Sequence, residues 1–252
     1  MTRRPLLPAL AFAMAALTAL PGQALDLDSM SDAERDAFRA EIRAYLLDNP
    51  EVIMEAVAVL EQRQAEAQAQ NDVELVKANA EAVFSDGHSW VGGNPEGDIT
   101  LVEFMDYKCG YCKRAFPEVN DLLEFDGNIK LIVKEFPILG EQSELASRFA
   151  IATLQTLGDE AYAQVHDALM VFSGDITQTA LNRMAEGFGL DAAAIEAQMN
   201  SDEVTTVIAE NRALAQRLNI SGTPSFVMND QMLRGYLPVD EMQRVAAEIR
   251  ED

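Results

Sequence analysis

The chain is 252 residues long and carries 42 Asp and Glu against 19 Lys and Arg, a formal net charge of −23. That length is sufficient for one sizeable hydrophobic core and an additional segment. The strong negative charge repels nucleic acid and anionic lipid surfaces, and we therefore expect neither as a partner. The chain has only two cysteines, which limits every hypothesis that needs thiols.

The first 24 residues have the pattern of a signal peptide. Arg3 and Arg4 precede an apolar run over residues 6–20, and small residues follow up to Ala24. The run is shorter than the roughly 20 residues that a membrane-spanning helix needs, and an uncleaved anchor is the alternative. We predict cleavage near Ala24, export to the periplasm and no membrane insertion of the mature protein. Sec and twin-arginine export both stay open, because residues 2–7 match the twin-arginine pattern only loosely.

Residues 25–85 predict an N-terminal helical segment. A capping-box spacing over residues 31–34 begins a first amphipathic helix that ends near Asp48. A second helix is predicted over residues 50–84, with Asn49 as its cap, and its length would be on the order of 50 Å.

The polar middle of this second helix, residues 61–70, cannot be buried against one small domain. The first helix carries an apolar stripe with no obvious place in the domain that follows. We therefore predict that the segment pairs with the same segment of another chain and forms a homo-oligomer. The alternative is that both helices fold back onto their own domain.

The two cysteines lie where a predicted strand turns into a predicted helix. Residues 99–107 are apolar and β-prone, and apolar side chains recur at helical spacing over residues 113–125. Unpaired backbone N–H groups and the helix dipole at such a junction favour thiolate over thiol. Cys109, nearer the surface, is the predicted nucleophile, and Cys112, one turn below, is the predicted resolving cysteine.

Other uses of a Cys-x-x-Cys pair fit this chain less well. A zinc site would have to add His88 and His166, or carboxylates. A c-type haem is excluded because Lys113 stands where the motif needs histidine. A structural disulfide that closes so small a loop would add little stability. We therefore favour redox exchange, with the Cys109–Cys112 disulfide as its redox-active centre and with no other cofactor and no metal.

The rest of the chain supplies a second strand, a helical insert, a hairpin and a last helix. Residues 128–136 predict a strand in which apolar residues alternate with polar neighbours. Residues 141–218 are helical in pattern almost throughout. A hairpin over residues 225–235 and a helix over residues 238–251 complete the chain. The turn-rich sequence over residues 86–97 marks the start of this domain.

These features resemble the DsbA-like branch of the thioredoxin-fold disulfide oxidoreductases over residues 86–252. The resemblance implies an α/β thioredoxin fold with a helical insertion at about residues 141–218, preceded by an extended N-terminal helical segment. That segment resembles the oligomerisation segment of ScsC-like proteins in pattern and position. The motifs that carry the resemblance are Val102-Glu103-Phe104, Cys109-Gly110-Tyr111-Cys112, Pro117 and Gly222-Thr223-Pro224-Ser225-Phe226.

The resemblance also implies an acid and a substrate-binding loop at the cysteines. Glu103 occupies the position of the family's buried acid, and a carboxyl there could take a proton from Cys112 or return it. An ordinary solvated acid is the alternative. In this family a cis-proline loop lies beside the nucleophilic cysteine and binds an extended substrate as an added strand. The substrate-binding residues implied here are Gly110, Tyr111, Thr223 and Pro224.

Residues next to the cysteines and the proline indicate the direction of exchange. Gly110-Tyr111 and Thr223 resemble the isomerase branch, and the Pro-His dipeptide of the strong oxidants is absent. We predict a periplasmic disulfide isomerase or reductase, with a DsbA-type oxidase as the alternative. The expected partners are unfolded or misoxidised secreted proteins and a membrane thiol reductase or oxidase.

A copper-tolerance protein that binds Cu(I) through Cys109 and Cys112 is the alternative from another functional class. Soft thiolates suit Cu(I), and ScsC-like proteins are linked to copper tolerance. The eleven methionines are scattered rather than clustered, which argues against a dedicated copper carrier.

Overall fold

The computed structural model describes residues 29–251, which form two compact units, residues 29–60 and 61–251. The predicted signal peptide, residues 1–24, lies outside the described residues. Within residues 29–251, no helix is both long enough and apolar enough to cross a membrane.

The first unit contains helix α1 (Asp32–Asp48) and the beginning of helix α2 (Glu51–Ala78). The predicted capping box is present: the Ser31 hydroxyl accepts from the Glu34 N–H, and the Glu34 carboxylate accepts from the Ser31 N–H. Asn49 caps the C-terminus of α1 rather than the start of α2, because its side-chain amide donates to the Tyr45 carbonyl at 2.9 Å.

Helix α1 buries none of its residues. Large apolar side chains are exposed along both helices of the first unit, and among residues 29–251 they form an uncovered apolar surface. These side chains are Phe38, Ile42, Tyr45, Leu47, Ile53, Met54, Val57, Val59 and Leu60.

The predicted continuous helix to residue 84 is interrupted. Helix α2 ends at Ala78 after 28 residues, about 42 Å, and a short helix α3 (Ala80–Phe84) follows. At the break, the Asn79 amide donates to the Leu75 carbonyl and accepts from Arg217. Val76 and Val83 are buried in the second unit, so this compact unit extends beyond the predicted domain start at residue 86.

A five-stranded sheet forms the centre of the second unit, in the spatial order β1-β3-β2-β4-β5. Strands β2 and β3 are parallel, and every other neighbouring pair is antiparallel. The strands are β1 (Trp90–Gly93), β2 (Ile99–Met105), β3 (Ile129–Glu135), β4 (Ser225–Met228) and β5 (Gln231–Arg234).

Helices cover the sheet and confirm the thioredoxin-like α/β fold with its helical insertion. Helix α4 (Gly110–Asp126) follows β2, and helix α10 (Val239–Glu251) ends the described chain. The insertion lies between β3 and β4. It consists of α5 (Glu141–Leu157), α6 (Asp159–Val171), α7 (Gln178–Gly187), α8 (Ala192–Gln198) and α9 (Asp202–Arg217).

Both faces of the sheet are buried, in two separate clusters of apolar side chains. Leu101 and Met105 of β2 lie in the larger cluster with both cysteines, whereas Val102 and Phe104 lie in the smaller cluster with the C-terminal end of α2. The alternation of apolar and polar residues along β3 suggests that one face of the sheet is exposed to solvent. Both faces are covered instead, and Lys134 is fully buried.

Strand β1 is the element that the sequence interpretation missed. Its two glycines, Gly92 and Gly93, were grouped with the turn-rich residues 86–97, whereas they pair antiparallel with β3. At this edge, the Trp90 ring stacks on Tyr162, with ring centroids 5.3 Å apart.

Candidate active site

Cys109 and Cys112 lie at the start of α4, directly after the turn that follows β2. Cys109 is the N-cap residue, with extended backbone dihedrals of φ −74° and ψ 117°, and its carbonyl accepts from the Lys113 N–H at 3.1 Å. Cys109 is 8% exposed and Cys112 is 0% exposed. The unpaired N–H groups of a first helical turn stabilise a negative charge at the N-cap sulfur.

Asp106 holds the turn before the cysteines in place. It is fully buried, and its carbonyl accepts from the Cys109 N–H at 3.0 Å. Its carboxylate accepts backbone N–H groups from Lys108, at 2.7 Å, and from Ile138 and Leu139, at 2.8 and 3.1 Å. The cysteine turn is thus connected to the segment after β3, which presents Ile138 and Leu139 to solvent.

The predicted proline loop lies against both sulfurs. The Thr223–Pro224 peptide bond is cis, as the resemblance implied. The Cys109 thiol donates to the Thr223 carbonyl at 3.2 Å, and the Thr223 side chain acts on Cys112 to lower its pKa. Thr223 therefore lies within reach of any group that is bonded to Cys109.

Glu103, on β2, is buried rather than solvated. It is 3% exposed, and its Oε1 atom has no hydrogen-bond partner within the described part of the chain. Burial, and then the negative charge of Glu135, raise the pKa of Glu103 to about 8. A carboxyl with this environment can hold or release a proton near neutral pH.

The inner cysteine is kept as a thiol. Burial, and then the charge of Glu103, raise the pKa of Cys112 far above its ordinary value. Hydrogen bonds from the Asp106 backbone and the Thr223 side chain act in the opposite direction. Cys112 therefore needs a base if it is to attack a disulfide near neutral pH.

The two residues between the cysteines face outward. Tyr111 is 62% exposed, and a Cβ atom added at Gly110 would meet no other atom within 4 Å. Both positions are open to a bound polypeptide.

Sequence analysis did not single out a second buried acid, Glu135, and the hydroxyl groups around it. Tyr107 and Tyr162 donate to its Oε1 atom at 2.8 and 2.7 Å, and Ser147 donates to its Oε2 atom at 2.7 Å. Burial raises the pKa of Glu135 to about 7, although the three hydroxyls act in the opposite direction. The signal that could have found Glu135 is an acid at the end of an apolar strand, as with Glu103.

The two histidines lie at separate places. Nδ1 of His166 is 3.0 Å from the Tyr107 hydroxyl, and burial lowers the pKa of His166 to about 4. Nε2 of His88 lies 3.2 Å from an Asp86 oxygen and 3.4 Å from a Glu210 oxygen. Among residues 29–251, no group of three or more His, Cys, Asp or Glu side chains is arranged to hold a metal ion.

Two family models match the chain. The model described as a DSBA-like thioredoxin domain matches residues 100–247, more than half of the chain, which include both cysteines, Glu103 and the Thr223–Pro224 loop. The model described as the copper resistance protein ScsC N-terminal domain matches residues 34–67.

Solved structures and curated proteins also match the chain. A thioredoxin-like oxidoreductase from Silicibacter pomeroyi DSS-3 is 42% identical, with a TM-score of 0.65 over 69% of this chain and 99% of that one. Proteus mirabilis ScsC in a transitional conformation is 25% identical, with a TM-score of 0.64 over 87% of this chain and 98% of that one. A Na(+)/H(+) antiporter NhaA 1 of Salinispora arenicola is 28% identical over 153 residues, 60% of this chain and 23% of the antiporter. The chain thus spans less than a quarter of the length of the first curated relatives that it matches.

Proposed function

Because this chain belongs to the DSBA-like thioredoxin domain family, we propose that it is a thiol–disulfide oxidoreductase, with Cys109 as the nucleophile and Cys112 as the resolving cysteine. The observation that carries this proposal is the unequal exposure of two cysteines at one helix start. An attacking thiol must meet the disulfide of another molecule, whereas a resolving thiol must meet only the first sulfur. The similarity to a protein described as a thioredoxin-like oxidoreductase supports the same class.

Each turnover consists of two exchange steps, and in each step one S–S bond forms as another breaks. The Cys109 thiolate attacks one substrate sulfur, and the other substrate sulfur leaves as a thiolate that takes up a proton. The Cys112 thiolate then attacks the Cys109 sulfur, which forms the Cys109–Cys112 disulfide and releases the second substrate thiolate. The substrate gains two electrons and the enzyme loses two, and the reverse sequence oxidises a dithiol substrate.

Glu103 supplies the base for the second step. The raised pKa of Cys112 means that its thiol does not ionise alone near neutral pH. A Glu103 carboxylate takes this proton as Cys112 attacks, and the negative charge that opposes ionisation of Cys112 is removed in the same step. In the reverse direction, the Glu103 carboxyl returns the proton to the leaving sulfur.

Substrate binding is assigned to Gly110, Tyr111, Thr223 and Pro224. The exposure of Tyr111, the open space at Gly110 and the contact between the Thr223 carbonyl and Cys109 support this assignment. An extended polypeptide held as an added strand would place its cysteine against Cys109.

Within this class we favour a disulfide isomerase or reductase over a DsbA-type oxidase. The Gly110-Tyr111 pair and Thr223 support this direction by resemblance. The match of residues 34–67 to an ScsC N-terminal domain and the exposed apolar side chains of α1 support a homo-oligomer. Isomerase activity is expected to need that assembly. A truncated chain that begins at residue 61 keeps Val76 and Val83. It should retain thiol–disulfide exchange but lose the ability to refold proteins with scrambled disulfides.

The proposed location is the periplasm, reached through the signal peptide over residues 1–24. The proposed substrates are unfolded or misoxidised secreted proteins, and a membrane thiol reductase or oxidase would reset the cysteine pair. Similarity to the DsbA and ScsC proteins supports this setting.

A variant that stops after the first exchange step tests the function. Reduced Cys112→Ala protein in an envelope extract is expected to accumulate mixed disulfides with client proteins, because Cys109 attacks and nothing resolves the product. Cys109→Ala protein is the matched control and should capture none. The exchange function would be refuted if Cys112→Ala captured no more protein than this control.

The copper resistance description of the matching N-terminal model supports Cu(I) binding by Cys109 and Cys112 as the second candidate. Titration of the reduced protein with Cu(I), repeated with Cys109→Ser, separates the two functions. Loss of tight Cu(I) binding in this variant, together with absence of exchange in the unmodified protein, would favour the copper function.

A further inference from the structure

The acid Glu135 is held by side chains from three different elements. Tyr107 follows β2, Ser147 belongs to α5 and Tyr162 belongs to α6, and each donates a hydroxyl proton to this carboxylate at 2.7–2.8 Å. Glu135 itself is 3% exposed. Three donors on one buried carboxylate fix its position and keep its ionised form accessible.

Glu135 lies on the same face of the sheet as Glu103. In the parallel pairing of β2 and β3, Glu103 is opposite Val133, and Met105 is opposite Glu135. Met105 and Val133 both pack in the cluster that contains Cys109 and Cys112. Glu103 and Glu135 are therefore diagonal neighbours on the cysteine face, and both are buried between the strands and the helices that cover them.

Within the described part of the chain, few other titratable groups lie near Glu103 and Glu135. Glu103 faces Cys112 of α4 and Tyr162 of α6 as well as Glu135. Glu135 faces the charge of Asp106 in addition to its hydroxyl donors, and His166 of α6 reaches it only through the Tyr107 hydroxyl. The hydrogen bonds to the Glu135 carboxylate come from hydroxyl groups, and no cationic side chain among residues 29–251 pairs with it.

We propose that Glu135 is a positioning residue for exchange: its carboxylate acts on Glu103 across the sheet and sets the pH at which Glu103 gains and loses its proton. The proposal rests on the proposed function for its consequence, because Glu103 is the base for Cys112. A charged Glu135 disfavours a second negative charge on Glu103 and thereby makes it a stronger base. The proton that leaves the Cys112 thiol goes to the Glu103 carboxylate, and Glu135 takes no part in this transfer.

Direct titration of Glu103 tests this coupling without using activity. Carboxyl ¹³C NMR of glutamate-labelled, full-length protein follows Glu103, which is assigned by comparison with Glu103→Gln. Glu135→Gln keeps an oxygen that can accept from both tyrosines and removes the charge. The expected result is a fall of roughly 1 pH unit in the Glu103 midpoint, the scale of two interacting carboxyls.

The matched control is Glu144→Gln on α5, which removes a carboxylate that pairs with Arg148 of the same helix and with Arg212 of α9. This change should leave the Glu103 midpoint where it is in the unmodified protein. An unchanged or higher midpoint in folded Glu135→Gln would overturn the proposal, because it would show that Glu135 has only a structural role.

A second variant keeps the acid and removes one of its donors. Tyr162→Phe should leave Glu135 neutral to higher pH, and the Glu103 midpoint should again fall, by less than in Glu135→Gln. If Glu135→Gln does not fold, an unchanged Glu103 midpoint in Tyr162→Phe would equally overturn the coupling.

Exchange kinetics separate this inference from the proposed function. In Glu135→Gln the midpoint for resolution of a mixed disulfide by Cys112 should fall in parallel with the NMR midpoint. If the unmodified protein performs no exchange but the NMR midpoint moves, the function is wrong and the coupling stands. If exchange occurs and neither midpoint moves, the function stands and the coupling is wrong.

Discussion

Lys134 and Glu135 are consecutive residues of β3, and both are buried, but they face opposite sides of the sheet. On one side, Lys134 forms an ion pair with Asp86 and donates to the Ala82 carbonyl at 2.9 Å. On the other side, Glu135 accepts from hydroxyl groups and lies near a second acid, Glu103. One side of the sheet compensates a buried charge, and the other side places two acids close together.

Buried charge therefore has a structural role on the Lys134 side of the sheet and a chemical role on the Glu135 side. A compensated pair stabilises the fold only while both partners are present. Neighbouring acids cost stability when they ionise, and such groups with raised pKa values are typical of active sites. The cysteines lie on the side of the two acids, as a site that moves protons requires.

Breaking the compensated pair should have the largest effect on stability. Asp86→Asn leaves the fully buried Lys134 without its counter-charge and should lower the free energy of unfolding by about 3–5 kcal/mol. Urea denaturation at pH 7 measures this change. Asp36→Asn, at an exposed ion pair with Arg39, is the control and should change it by less than about 0.5 kcal/mol. Equal effects of the two changes would show that Asp86 does not compensate the buried charge of Lys134.

Removing the acid Glu103 on the cysteine side should change the free energy of unfolding by a smaller amount and in the opposite direction. The pKa of Glu103 is about 8 in the folded protein, against an ordinary value of 4.5. Its protonated form therefore contributes stability that is complete below about pH 4.5 and is lost as the pH rises through about 8. At pH 9 the free energy of unfolding of Glu103→Gln should exceed that of the unmodified protein by an amount on the order of a few kcal/mol. Near pH 4 the two free energies should differ little.

Unfolding free energies across this pH range measure the Glu103 effect. Parallel pH profiles for Glu103→Gln and the unmodified protein would mean that Glu103 is not held protonated. The same variant should also slow the attack of Cys112 on a mixed disulfide while capture by Cys109 continues.

Much of the fold was predictable because local patterns agreed with the tertiary structure. The capping box at Ser31, the helical insertion and the cysteine junction each follow from short-range spacing. Burial of Glu103 was implied by the family resemblance and by its place in an apolar strand. Each of these features depends on residues that are close together in the chain, so a single sequence is enough to predict it.

The remaining features depend on contacts between distant residues. Glu135 became visible only when α5 and α6 brought Ser147 and Tyr162 to it. The Gly92-Gly93 strand is stabilised by pairing with β3 rather than by its own propensity. The break at Asn79 coincides with a contact to Arg217, 138 residues away in the chain.

The central claim is that Cys109 is the accessible attacking sulfur and Cys112 is the protected one. Mass spectrometry of the reduced protein after brief reaction with glutathione disulfide tests this claim most directly. Cys112→Ala should retain one glutathione, mapped to Cys109, and Cys109→Ala should remain unmodified under the same conditions. Equal labelling of the two variants, or no labelling of either, would contradict the account.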